Sequence, residues 1–226
     1  ATTMKHLQEL YESHAEGLTT LFNALYQENL FEESSYPLLL STWENEPVPK
    51  AMFFGQETNG WGDSEDIATL MEGYRNFELG KNYPSLFWKY LWSLSNKIGL
   101  KGAHPFLWNN INKLGKQQSA GHAEQRATEL ENEHFNVLRE ELELIKPEIC
   151  VFLSGPHYDS DLKAKLPDLE ILPMEGYKEN EFVRFSSRYL PKNSFRTYHP
   201  GYGNRYYSWY NEVLDTIARE CQNSVL

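Results

Sequence analysis

The run Ile149-Cys150-Val151-Phe152-Leu153 is apolar at every position and stops at Ser154-Gly155. A strand with one face in water alternates apolar and polar side chains. A strand without that alternation must be covered on both faces, as in the centre of a parallel sheet with helices above and below it. Three other segments also read as strands. Residues 51–55 (AMFFG) lie between Pro49 and a turn, residues 105–111 (PFLWNNI) run into amides, and residues 194–198 (SFRTY) end at His199-Pro200-Gly201.

Helical patterns separate these strands. Residues 4–30 repeat apolar side chains at helical spacing, with an interruption at Gly17. Residues 84–98 (PSLFWKYLWSLSNKI) predict a buried helix that opens at Pro84 and ends at Gly99. Residues 123–145 predict one long amphipathic helix stopped before Pro147, and residues about 205–220 a final helix. Segments 169–172 and 181–185 predict a minor strand pair around Gly176. Four strands alternating with helices imply an α/β fold, a three-layer α/β/α arrangement around a four-stranded parallel sheet. Residues 1–226 are read as one domain, with 1–48 as an N-terminal helical extension.

In such a sheet, ligands bind beyond the carboxyl ends of the strands. Each strand here empties into a loop rich in chemistry. The first, GQETNGW, offers Gly55 for close approach, Glu57 as a carboxylate, and Gln56, Asn59 and Trp61 for binding or stacking on a flat ligand. The second, WNNINK, holds Asn109 and Asn110, whose amides pair a donor with an acceptor as the edge of a base does. The third, SGPHYD, holds Ser154 in a strand-to-helix turn. The fourth, HPGYG, holds His199 as a hydrogen-bond donor to a carbonyl oxygen that gains charge. Each has a plainer reading: a solvated glutamate, a core tryptophan, an asparagine-rich turn.

Net charge is −11, which opposes indiscriminate binding to nucleic acid, but the charge is uneven. Residues 182–211 hold ten aromatic and five basic side chains and no acid. Arg184, Arg188, Arg196 and Arg205 in that stretch are therefore candidate phosphate contacts, with aromatic faces for base stacking. The alternative is an aromatic core face with ordinary surface arginines. The two cysteines, Cys150 and Cys221, are too few for a disulfide framework or a four-thiolate centre. The scattered histidines show no ligand spacing, so no metal and no cofactor are expected. No run approaches ~18 apolar residues, and a cytoplasmic protein without a membrane partner is expected.

The order of these loops resembles the uracil-DNA glycosylase superfamily. A Gly-Gln-acid loop follows the first strand, an Asn-rich loop the second, a Ser-Gly turn the third and a His-Pro loop the last. The segment FNVLREELELIKPEICVFLSG (135–155) is similar to that superfamily's helix–proline–strand segment, and the match covers about residues 50–215. The resemblance implies a four-stranded parallel sheet and a cleft for a flipped base. It implies that Glu57 positions water or stabilises a cation, that Asn109 or Asn110 reads the base edge, and that His199 stabilises the departing base. Trp61 or Tyr83 would stack on the base, and Tyr202 would wedge into the duplex. Two positions depart from the pattern: Thr58 follows Glu57 where a proline is usual, and Gly201 stands where serine is common.

The expected function is therefore hydrolysis of the N-glycosidic bond of a flipped base in DNA. The alternative is a nucleic-acid- or nucleotide-binding protein of the same fold without turnover. A third reading is an interaction domain whose aromatic last helix sits in an interface.

Overall fold

Strand β3 (Ile149–Leu153) is fully buried, as its unbroken apolar sequence demands. The computed structural model describes residues 2–58, 60–116, 125–203 and 205–224. Around β3 lie β1 (Ala51–Gly55), β2 (Phe106–Asn110), β4 (Glu170–Pro173), β5 (Phe182–Ser186) and β6 (Asn193–Thr197). The sheet order is β2-β1-β3-β6-β5-β4. β1, β3 and β6 run parallel in one register, with Phe53 opposite Val151 and Val151 opposite Phe195. The backbone N–H groups of Glu148 and Ile149 donate to the Lys50 carbonyl (2.7 and 3.2 Å) and set that register at its start.

The sheet is mixed and six-stranded, not a four-stranded parallel one. The two segments expected as a minor pair join the main sheet: β4 pairs with β5, and β5 with β6, both antiparallel. The physical reason is the short link through Gly176, whose φ of 87° suits a tight reversal and cannot make a parallel crossover.

The helices are α1 (Thr2–Ser13), α2 (Ala15–Gln27), α3 (Ile67–Asn76), α4 (Leu86–Ile98), α5 (Gln125–His134), α6 (Leu138–Ile145), α7 (Asp159–Lys165) and α8 (Tyr207–Ser224). Residues group into two compact units. The first comprises Ala1–Val48, Gln56–Phe77 and Asn109–Ile145, and the second Pro49–Gly55, Glu78–Trp108 and Lys146–Leu226. Among the described residues no helix is long and apolar enough to cross a membrane.

In the second unit, alternate side chains of the strands feed opposite faces of the sheet. Phe53 meets Phe106 (4.9 Å between ring centres), and Phe106 meets Trp92 of α4 (5.1 Å). On the other face Phe54 stacks on Phe152 (4.2 Å), which meets Phe185 (5.3 Å). Each such buried ring contributes about 1.5–3 kcal/mol relative to an exposed one. Helix α4 begins two residues after Pro84, where it was expected to open, with the Ser85 hydroxyl accepting the Trp88 N–H (3.2 Å), and ends as predicted at Gly99, with φ 88°.

In the first unit the expected long helix over 123–145 is two helices. Its first two residues lie outside the described residues, and α5 and α6 are separated at 135–137. Phe135 and Val137 are both buried there, which one helical face cannot achieve at that spacing. The α5 end is also met by α2: a Cβ at Gly17 would lie 2.2 Å from the His134 carbonyl oxygen. The break in the N-terminal helical region falls at His14, not at Gly17.

Candidate functional site

In the second unit, the ends of three adjacent parallel strands carry Gly55 (β1), Ser154 just past β3, and His199 two residues past β6. Gly55 and Ser154 are buried. The Gly155 N–H donates to the Thr197 carbonyl (2.9 Å), so the turn after β3 is tied to the end of β6. That N–H is thereby engaged within the protein.

His199 is half-buried and held on two sides. Its ring stacks on Phe87 of α4 at 5.3 Å and 16°. Its Nδ1 accepts the backbone N–H of Gly201 at 2.9 Å. Nδ1 is therefore unprotonated, and the neutral ring carries its proton on Nε2. Burial pushes the imidazole down to about 4, so the ring is neutral at physiological pH. A neutral imidazole with a fixed Nε2–H donates a hydrogen bond without delivering a full charge. The glycine matters here, because a Cβ at Gly201 would sit 3.1 Å from Nδ1. The Tyr202 N–H closes the turn on the His199 carbonyl (2.9 Å). Tyr202 itself is 42% exposed and stacks on Tyr198 at 4.5 Å.

Gln56, Glu57, Trp61, Asn109 and Asn110 belong to the first unit. Asn59 lies outside the described residues. The loop after β1 is laced to the one after β2. The Asn112 N–H donates to the Gln56 carbonyl (3.1 Å) and the Lys116 N–H to the Thr58 carbonyl (3.2 Å), while the Thr58 and Ser35 hydroxyls share a 2.7 Å bond. These bonds join the loops after β1 and β2. Glu57, between those anchors, is half-buried. Trp61 is half-buried edge-on to Phe77 (5.4 Å) and lines a pocket of about 440 Å³ with Leu70 and Asn76.

Asn109 departs from its expected role. Its Oδ1 accepts from the Lys113 ammonium (2.7 Å) and the Asn110 N–H (2.8 Å), and its Nδ2 donates to Glu141 (3.2 Å). With the amide spent on three internal bonds and no exposure, it does not read a base edge. Asn110 is buried as well, at 2% exposure. Glu141 also bonds the Tyr11 hydroxyl, and that oxygen accepts the Leu40 N–H (2.9 Å). Burial and the Glu141 charge together push the Tyr11 phenol well up. This network fixes the Asn-rich loop to α1 and α6, and sequence reasoning missed it. Its signal was Glu141 standing within the apolar stripe Leu138-Leu142-Ile145 of α6.

The arginine-rich stretch also differs from expectation. Arg196 is 1% exposed and holds Asp159 of α7 through two bonds of 3.0 and 2.7 Å, so it is a core ion pair and not a phosphate contact. Burial pushes the Asp159 carboxyl up, and Arg196 pulls it partly back. Arg184 bonds Glu220 (3.0 Å) and lies over Phe195, and Arg205 bonds Glu181 (3.2 Å). Arg188 lies over Tyr189, with its backbone N–H on Asp168 (2.8 Å). The stretch has no acid of its own, but the fold brings carboxylates from 159, 168, 181 and 220 to it.

Among the described residues no group of three or more His, Cys, Asp or Glu side chains is placed to hold a metal ion. Comparison of the sequence with protein-family models and with curated proteins finds no match.

Proposed function

We propose that this chain is a uracil-DNA glycosylase-like protein that hydrolyses the N-glycosidic bond of a base. The observation that carries the reading is His199: neutral, with its tautomer fixed by Gly201, at the carboxyl end of a parallel strand. As the bond to the base breaks, negative charge gathers on a carbonyl oxygen of the ring. The Nε2–H of a neutral imidazole is the donor suited to that oxygen, and a donor of this kind is worth about 10²–10³ in rate. In this reading Glu57 supplies the carboxylate that steadies the sugar cation or orients water. Tyr202, exposed on the turn after His199, is the residue for insertion beside the extruded base.

Release of free base from uracil-containing single- and double-stranded DNA tests the reading. His199→Ala and Glu57→Ala should each reduce turnover by about two orders of magnitude with little change in binding. No base release from uracil or damaged-base substrates would reject it.

One observation favours a second reading, recognition of a base or nucleotide without turnover. The arginines expected to grip a backbone are engaged with carboxylates or with aromatic rings of the protein itself. Salt-sensitive binding with no product would decide for that reading.

A further inference from the structure

A different part of the second unit has the chemistry that the arginine stretch lacks. One face of α4 carries Lys89, Trp92, Ser93 and Asn96, spaced by three and four residues, with the N-cap Ser85 at its head; Lys89 and Asn96 are exposed and the others half-buried. With the segment just before the helix it forms an open groove of about 1020 Å³. Its floor and walls include Lys81, Tyr83, Lys89, Trp92 and Lys97. Among the described residues that line it there is no Asp or Glu. That is a sharp local exception in a chain of net charge −11.

Lys81 and Lys89 are exposed and, among the described residues, pair with no carboxylate, whereas Lys97 pairs with Asp215 at 2.6 Å. Aromatic faces lie between the charges. Tyr83 is 58% exposed, Trp92 is half-buried with its Nε1–H on the Leu79 carbonyl (2.9 Å), and the Lys89 ammonium sits 5.6 Å from the Tyr207 ring centre. The approach to the groove is held in an uncommon conformation. Glu78, Leu79 and Gly80 all have positive φ (53°, 51° and 59°), and His104 pins Glu78 at 2.5 Å. That bend leads directly into Lys81 and Tyr83 at the head of α4.

We propose that this groove binds single-stranded nucleic acid, with Lys81 and Lys89 on phosphates and Tyr83 and Trp92 stacking on bases. Alternating cations and aromatic faces in an open channel match a strand whose bases are unpaired, whereas a duplex hides those faces. From Ser85 to Lys97 the helix rises about 18 Å, which gives an unpaired strand lying along it room for several nucleotides. The inference deepens the reading above by naming the strand, and rests on it in that respect. Binding and base release are therefore measured separately, so that either can fail alone.

The probe is a fluorescein-labelled oligothymidylate, followed by anisotropy across a salt series. The Lys81→Glu/Lys89→Glu variant, at two exposed positions, should weaken binding about tenfold or more and flatten the log–log salt slope by about 1.4, the release expected for two phosphates. Tyr83→Ala should weaken binding about tenfold at every salt concentration. Arg184→Gln should leave it unchanged. Circular dichroism checks that each variant folds. Wild-type affinity in the double-lysine variant would overturn the proposal, as would equal binding of polyglutamate or no oligothymidylate binding at low salt. Failure of base release with binding intact rejects only the glycosylase reading.

Discussion

The ammonium of Lys113 lies 2.7 Å from the carboxylate of Glu141, with the two side chains 3% and 0% exposed. A pair so placed is costly to desolvate, and its value lies in what it holds. Removal of one partner leaves a buried charge without compensation. Lys113→Met should therefore cost about 3–5 kcal/mol, read as a lower urea midpoint. The double change Lys113→Met/Glu141→Leu should cost less than the sum of the singles. Additive losses would show that the two groups act independently.

His199 should titrate far from an ordinary histidine. Its folded-state value is about 4 against 6.5 in the unfolded chain. Between those values the unfolded state binds the proton and the folded state does not, so stability falls as pH drops from 6.5 towards 4 and is flat above 6.5. Proton-detected NMR should show the Nε2–H tautomer persisting to about pH 4. His199→Gln should remove that part of the pH dependence. A midpoint near 6.5 would contradict the burial described for this ring.

Gly17 offers a test of sign. Helix propensity alone makes Ala better than Gly in α2 by about 1 kcal/mol. The close approach of the His134 carbonyl, 2.2 Å from where a Cβ would sit, opposes this. Gly17→Ala should lower the melting temperature, and a rise would mean that α2 and the end of α5 separate readily.

Asp159→Ala should destabilise the chain by about 3 kcal/mol, because it strands the guanidinium of Arg196 away from water. It should not alter the salt slope of nucleic-acid binding. A changed slope would return Arg196 to the surface.

The strands were legible from sequence because their signal is local. An apolar run between breakers gave residues 51–55, and the structure has β1 over Ala51–Gly55. Helix α4 was legible because Pro84 and Gly99 are local boundary signals, although the cap itself is Ser85. Helix α3 was missed although Asp66 caps it and Leu70, Met71 and Tyr74 share a face. That signal was present and passed over. The roles of Asn109 and Arg196 were not legible in the same way. Each is decided by a carboxylate 32 or 37 residues away in the chain, and only the tertiary fold brings them together. The basic character of 182–211 misled for the same reason, since a count along the chain cannot see acids that arrive from elsewhere.

The last strand of the sheet, β4, is exposed along its whole length, with Ile171 and Leu172 partly in water. A border of that kind is the natural place for a foreign chain to add itself and begin a growing fibre. Here the strand is only four residues long, begins at Glu170 and finishes in Pro173, which has no N–H to offer an incoming neighbour. The mixed sheet thus ends in a seam too brief and too poorly matched to favour the addition of a further strand.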